Sequence, residues 1–358
     1  MMKENQKMNL SAQKMSDLPK ALTEDNLKKA LSKMLGTQII RADFESKQLQ
    51  GGTVGDVRLV TGTAETAGGE KLPYEIILKV QKKWERQGDP DSWRREYDLY
   101  KSDLGALFTD SLRWPECYRA EMNGEENETQ LWIEYIDAIS GMDLTIEMRE
   151  QAAAELGRFQ GRIYKNNPPA LQDISCFTPI SWAGHYYTIY SRQEPQYNYI
   201  RSDDCEIPRY LCQMLMDMER EAEKIYANAG NMPFVLCHRD FWYSNIFYSD
   251  GKIILLDWDC TGWGYMFEDI IQLITDETDV KYLEEYYRKF IPAYIKGISE
   301  YIDISQLKDL HLYAWKLLVI KFGYTLAYRH MNAKSLDEKK SSITALQKMY
   351  EMRDVQWN

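Results

Sequence analysis

Residues 237–259 read CHRDFWYSNIFYSDGKIILLDWD, and this stretch decides how the rest of the chain is understood. Asp240 is followed by Asn245, then by a hairpin-like turn at Ser249, Asp250 and Gly251, then by an apolar run that ends in Asp257. The run reads as a buried strand. It delivers a carboxylate to polar surroundings, where the charge needs compensation of the kind a divalent cation supplies. Asp followed by Asn usually marks no more than a turn. Joined to an apolar strand and a second Asp, the pattern is hard to reach by accident. Asp259 faces the same side as Asp257 if the chain stays extended, and reads as a further metal ligand or a structural acceptor.

The spacing of His238, Arg239, Asp240 and Asn245 reproduces that of the kinase catalytic loop, in which Asp accepts a hydroxyl proton and Asn holds magnesium. Such a loop must turn back, so that Asp points at the acceptor and Asn at the phosphate-bound metal. Asp240 is therefore the candidate catalytic base, with Asn245 and Asp257 as candidate metal ligands. Upstream, Lys79 lies in the strand-like run EIILKVQ and Glu96 on the helix that follows, matching the strand-lysine and helix-glutamate ion pair of kinases. A lysine in a strand is more often an edge charge, so the downstream loop carries this assignment. Gly51, Gly52 and Gly55 in QGGTVGDVRLV fall in a turn between two strands, where backbone N–H groups can approach phosphate closely. By themselves they are only a hairpin signal. In LWIEYIDAISG, the Glu134 carbonyl and the Ile136 amide are candidates for adenine recognition by an extended connector.

Working outward, Leu27, Leu31, Met34 and Leu35 share a helical face opened by Thr23 and closed by Gly36. Short β-type runs follow at TQIIRADF, ESKQLQ, GDVRLVTGT and YEIILKVQ, with AGGEKLP as the turn before the last. Trp93, Tyr97, Tyr100 and Leu104 recur at helical spacing, and ECYRAEM and TQLWIEYI read as two more strands around the polar loop NGEENE. Thr145 starts a long helix with Met148, Ala152, Leu156, Phe159 and Ile163 on one face, ended by Asn166, Asn167, Pro168 and Pro169. A further helix is expected near 207–228, and the chain beyond Phe267 reads as mostly helical with turn breaks such as Pro292 and Gly297. The expected division is a flexible arm over 1–22, a nucleotide-binding N-lobe over 23–136 and a helical C-lobe over 137–358.

With 358 residues, 44% apolar and 28% charged, the chain has an ordinary globular balance. A net charge of −11 argues against nucleic acid as a partner, because backbone binding needs clustered Lys and Arg. The six cysteines are scattered without a Cys-x-x-Cys pair and read as free thiols. No run approaches the ~20 apolar residues of a membrane span, and residues 1–20 lack the apolar centre of a signal peptide. A cytoplasmic protein with no membrane partner is expected; its oligomeric state is not legible.

The catalytic-loop stretch, Lys79 and Glu96 together resemble the aminoglycoside phosphotransferase and choline kinase superfamily of small-molecule kinases, over roughly residues 37–275. The resemblance implies an α+β, two-lobed, protein-kinase-like fold, with a small mainly antiparallel β N-lobe and a larger mostly helical C-lobe. It also implies ATP or GTP as donor, Mg2+, and a small-molecule hydroxyl acceptor such as an aminoglycoside, an amino alcohol or a sugar. A protein kinase is disfavoured because Asp257 is followed by Trp258 and Asp259 rather than Phe-Gly, and GWGYMFEDIIQL runs straight into a helix without an activation loop. About a hundred residues separate the connector from His238, and the resemblance implies that helices inserted there help form the acceptor pocket; Trp182, Tyr186, Tyr187, Tyr190, Tyr197 and Tyr199 cluster in this insert. They read as packing or as a cage for a quaternary ammonium. Trp242 and Tyr243, beside the base, are candidates to touch the acceptor, and Trp263 is a candidate to close the pocket. The alternative to an enzyme is a non-catalytic kinase-like scaffold that binds nucleotide.

Overall fold

Thr23 opens the first helix by accepting the Asn26 N–H on its hydroxyl at 3.2 Å. This helix, α1 (Glu24–Met34), buries Leu27, Ala30 and Leu31, and Gly36 at φ 67° turns the chain away from it. The computed structural model describes residues 19–49, 55–86, 88–168, 171, 174, 177, 184, 187–227, 231–275 and 280–355.

The strands that follow are β1 (Ile39–Ala42), β2 (Glu45–Gln48), β3 (Asp56–Thr66) and β4 (Lys71–Lys82). After α2 (Ser92–Lys101) comes the short β5 (Leu112–Arg113), then β6 (Cys117–Met122) and β7 (Glu128–Glu134). Except for β5, these strands make one antiparallel sheet in the order β1-β3-β4-β7-β6, with β2 pairing β3. Val60, Ala64, Ile76, Leu78 and Trp132 bury one face of it against α1. The strand β4 starts earlier than its sequence suggests and includes Pro73. The ring is tolerated because β7 begins pairing only at Ile76, so β4 has a single neighbour at Pro73.

The chain divides into two compact units, one formed by the residues up to Ser102 with Pro115–Asp137, the other by Asp103–Trp114 with Ala138 onward. Residues 103–114, expected in the first lobe, therefore belong to the second unit. There β5 pairs in parallel with β11 (Lys252–Leu255), and Phe108 and Trp114 pack edge-on to Trp258 at 5.5 and 5.8 Å.

The second unit continues with β8 (Ile139–Ser140), α3 (Ile146–Asn166), α4 (Glu194–Tyr199) and α5 (Arg209–Tyr226). Then come β9 (Phe234–Cys237), β10 (Ile246–Ser249), β11 and β12 (Gly262–Tyr265). The helices α6 (Glu268–Thr275), α7 (Leu283–Ile298), α8 (Leu310–Leu318), α9 (Tyr324–Met331) and α10 (Leu336–Glu351) complete it. Thr145 caps α3 through Met148 N–H at 3.3 Å, and Asn167 ends it in the left-handed region at φ 37°. Contrary to expectation, Pro292 and Gly297 do not break a helix. Both lie inside α7, where Gly297 allows the α7 backbone to approach α3 so closely that a Cβ would collide with the Ala154 carbonyl. Gly157 on α3 meets the Tyr294 carbonyl in the same way. A π-helical turn, Val319–Gly323, joins α8 to α9. Among the described residues, no helix is long and apolar enough to cross a membrane.

Candidate active site

The loop after β9 passes through His238 and Arg239 to Asp240. Arg239 takes φ 64°, a left-handed conformation uncommon for a residue with a Cβ. The carboxylate of Asp269, on α6, accepts the backbone N–H groups of His238 and Arg239, each at 2.8 Å. The guanidinium of Arg239 donates to the Trp263 carbonyl on β12 at 2.5 Å. His238 is buried with its ring edge-on to Trp258 at 4.7 Å, and its Nδ1 accepts the Asp240 N–H at 3.3 Å. His238 thus braces the loop. The backbone is anchored on the N-terminal side of Asp240, whose side chain is half-buried.

Asn245 turns back on this loop. Its Nδ2 donates to the Asp240 carboxylate at 2.8 Å and to the Asp240 carbonyl at 2.9 Å. Both partners are acceptors, so the amide nitrogen must face them, and Oδ1 is the atom Asn245 has left for a cation. The Leu256 N–H donates to the Asn245 carbonyl at 2.9 Å, extending the β10–β11 ladder by one step. Asp257 follows directly, in the left-handed region at φ 62°. Next to it Trp258 is fully buried, with Phe108, Phe159, Trp114 and His238 edge-on around its ring, and its indole N–H donates to the Leu255 carbonyl at 2.8 Å. A ladder bond before Asp257 and a ring cluster after it fix this position. Two half-buried residues in left-handed conformation beside a carboxylate–amide pair are the kind of backbone strain that persists only where surrounding structure over-determines it.

Magnesium favours hard oxygen donors and keeps several waters or substrate oxygens in its shell. The Asn245 amide oxygen and the Asp257 carboxylate fit that requirement as a two-residue donor set. Among the described residues, no cluster of three or more His, Cys, Asp or Glu is arranged as a self-sufficient metal cage. Asp259 is buried in the turn after Trp258.

In the first unit, Lys79 and Glu96 meet at 2.6 Å, with side chains only 14% and 7% exposed. Lys79 is no edge charge, because it pairs with Val57 on β3 and Leu131 on β7. Gly55 stands next to this position, where a Cβ would lie 3.2 Å from the Val80 carbonyl. Gly51 and Gly52 lie outside the described residues; on either side of them, Gln48 pairs with Arg58. Glu134 ends β7 opposite Ile76, and its carboxylate accepts the Glu116 N–H at 3.0 Å. Ile136, just beyond the sheet, is half-buried.

The sequence reading missed four contributors. Asp269, with burial pushing its carboxyl up to about 6 against the pull of the Arg239 and His238 amides and Lys321, looks in sequence like an ordinary acidic residue opening a helix. Gln160 sits on the buried face of α3. Asp89 and Arg95 form a buried bidentate pair at 2.9 and 2.5 Å that ties the loop before α2 to the helix bearing Glu96. For Gln160 the available signal was an amide among the apolar positions Leu156, Phe159 and Ile163 of one helix face; nothing local singled out Asp89, Arg95 or Asp269.

Tyr243, expected to touch an acceptor, is instead buried beneath the Arg149 guanidinium at 5.5 Å. Trp242 is half-buried, and Trp263 packs edge-on to Phe177 at 6.1 Å. In the aromatic insert, Tyr197 is covered by Arg201 and Arg192 at 3.6 and 5.0 Å. Tyr199 bonds His330 at 3.0 Å, and Tyr187 packs against Tyr226 and Tyr324. These rings are engaged by the chain's own groups, which is the packing reading. Trp182, Tyr186 and the side chain of Tyr190 lie outside the described residues.

A model of the phosphotransferase enzyme family (APH) matches residues 79–301. Among solved structures, the chain is similar to a microcompartment-associated aminopropanol kinase, at 14% identity over 90% of this chain and 94% of that one, with a TM-score of 0.52. It is similar also to a GDP complex of an aminoglycoside 2'-phosphotransferase-IIIa variant, at 13% identity over 92% and 97% of the two chains, with a TM-score of 0.52. At such identities the likeness concerns the fold, which is the α+β arrangement expected from the sequence. No curated protein sequence matches the chain.

Proposed function

The chain belongs to the phosphotransferase enzyme family, and on that premise we propose that it moves the γ-phosphate of ATP, with Mg2+, to a hydroxyl group of a small molecule in the cytoplasm. The observation that carries this reading is the Asn245 amide committed to the Asp240 carboxylate at 2.8 Å, one ladder step from Asp257.

Phosphoryl transfer is mainly positioning and electrostatics. Asp240, its rotation limited by Asn245, orients the acceptor hydroxyl and takes its proton as the new O–P bond forms and the bond to ADP breaks. Lys79, held by Glu96, faces the phosphates. The Glu134 carbonyl and Ile136 amide meet the adenine edge, and the turn containing Gly51, Gly52 and Gly55 lies over the phosphates. Asn245 and Asp257 would hold the magnesium, which neutralises phosphate charge when bound. The acidic balance of the chain, −11, suits a small acceptor rather than nucleic acid.

The test is acceptor-dependent ADP release across aminoglycosides, choline, homoserine and free sugars, with ATP or GTP and with or without Mg2+. Asp240→Ala should abolish turnover while nucleotide binding persists. Turnover retained in that variant overturns the base assignment. Nucleotide binding without turnover on any acceptor favours a non-catalytic scaffold.

A further inference from the structure

Gln160 is a polar residue in an apolar place. It lies on the face of α3 that buries Ala153, Leu156, Phe159 and Ile163, and is itself 1% exposed. Its amide is almost fully used. Nε2 donates to the Asp269 carboxylate at 2.9 Å and to the Leu236 carbonyl at 3.1 Å, and Oε1 accepts the Tyr294 hydroxyl at 2.6 Å. Asp269 in turn holds the His238 and Arg239 N–H groups. An unbroken chain of buried hydrogen bonds therefore runs from α7 through α3 and α6 to the catalytic loop.

The chain has a fixed direction. The Leu236 carbonyl and an ionised Asp269 can only accept, so the Gln160 NH2 must face them. The amide oxygen must then face Tyr294, whose hydroxyl must donate. The close approach of the α7 backbone at Gly157 brings Tyr294 within reach. The two groups that Gln160 donates to bracket the loop: Leu236 precedes it on β9, and Asp269 clasps it at the left-handed Arg239. Resting on the phosphotransferase reading above, we infer that Gln160 and Tyr294 are positioning residues for the transfer step, setting the Asp240 loop by keeping Asp269 an ionised acceptor for the loop amides.

Losing the Gln160 donor leaves the Asp269 carboxylate with fewer partners to stabilise its charge, so it protonates at higher pH. A protonated carboxyl offers one acceptor position fewer, and its grip on the loop weakens. Among the described residues, the other titratable or charged groups around Asp269 are Lys321 from the π-helical turn, Glu268 on α6, Cys237 at the end of β9, and His238 and Arg239 in the loop, with Tyr313 of α8 facing Tyr294. None of these is changed by the variants below.

The experiment compares wild type, Tyr294→Phe and Gln160→Met by kcat against pH, by nucleotide KM, and by hydrogen exchange at the His238 and Arg239 amides. Gln160→Met should move the acid limb of kcat upward by about half a unit or more, leave nucleotide KM within about twofold, and speed exchange at both amides about tenfold. Tyr294→Phe, which keeps the ring, should show smaller shifts in the same direction. A uniform loss of kcat with the acid limb unmoved, or exchange unchanged at both amides, overturns the inference. If wild type phosphorylates no acceptor, it is the phosphotransferase reading that fails. Amide exchange then still decides whether the relay holds the loop.

Discussion

The side-chain amide of Asn245 donates to the carboxylate of Asp240 at 2.8 Å, so the residue proposed to hold magnesium through its amide oxygen also restrains the candidate base through its amide nitrogen. Asn245→Ala removes both roles at once. Turnover should fall about a hundredfold or more, since small misplacements of a reacting group cost that much, and the magnesium concentration needed for half-activity should rise. Steady-state kinetics over a magnesium titration checks this. A loss of rate at unchanged magnesium dependence would leave Asn245 a steering residue alone.

The Lys79–Glu96 pair is nearly closed to solvent. Removing one member of such a pair leaves an uncompensated charge and costs about 3 kcal/mol. Glu96→Ala should therefore lower the unfolding midpoint in urea and weaken nucleotide binding, because Lys79 is no longer directed. Calorimetric titration with ATP, alongside the denaturation curve, is the measurement. Wild-type affinity in a destabilised Glu96→Ala protein would reduce the pair to a structural element.

Helices α3 and α7 touch backbone to backbone at Gly157 and Gly297. A methyl group at either site must push the helices apart, and overpacking of this kind costs about 1–3 kcal/mol. Gly157→Ala and Gly297→Ala should each lower Tm by several degrees. Gly157→Ala should in addition disturb the neighbouring Tyr294 bond to Gln160. An unchanged Tm in both variants would contradict the close approach.

Burial pushes the Asp269 carboxyl up to about 6, from an ordinary value of 3.8. Between these values the folded chain holds a proton that the unfolded chain has lost. The contribution of this group to stability is therefore full below about pH 4 and lost as pH rises through about 6. The loss amounts to as much as about 3 kcal/mol. Asp269→Asn does not titrate, so the stability difference, wild type minus variant, should shrink from pH 4 to 6 and then level off. A difference that stays constant across that window would show that Asp269 has no raised titration.

Local signals were legible where short-range chemistry decides the outcome. The caps at Thr23 and Thr145, the left-handed stop at Asn167, the six strands of the first sheet and the spacing from Asp240 to Asn245 all act within a few residues of chain. What the sequence hid depends on contacts between distant segments. Pro73 reads as a breaker until the sheet leaves β4 one neighbour there. Gly297 reads as a turn until α3 packs against it. Residues 103–114 look continuous with α2, yet β11 and the Trp258 ring cluster draw them into the other unit. Asp269 and Gln160 are polar residues on the buried faces of mixed helices, and only the fold reveals what they hold.

At Arg239 the backbone and the side chain ask for different amino acids. The left-handed φ is one that glycine adopts without steric strain, whereas the tie to the Trp263 carbonyl needs the guanidinium. A library randomised at this codon would therefore split under selection. Screening for heat resistance would enrich glycine and asparagine, screening for turnover would return arginine, and the distance between the two winners would measure how much robustness the protein gives up to keep β12 fastened to the loop.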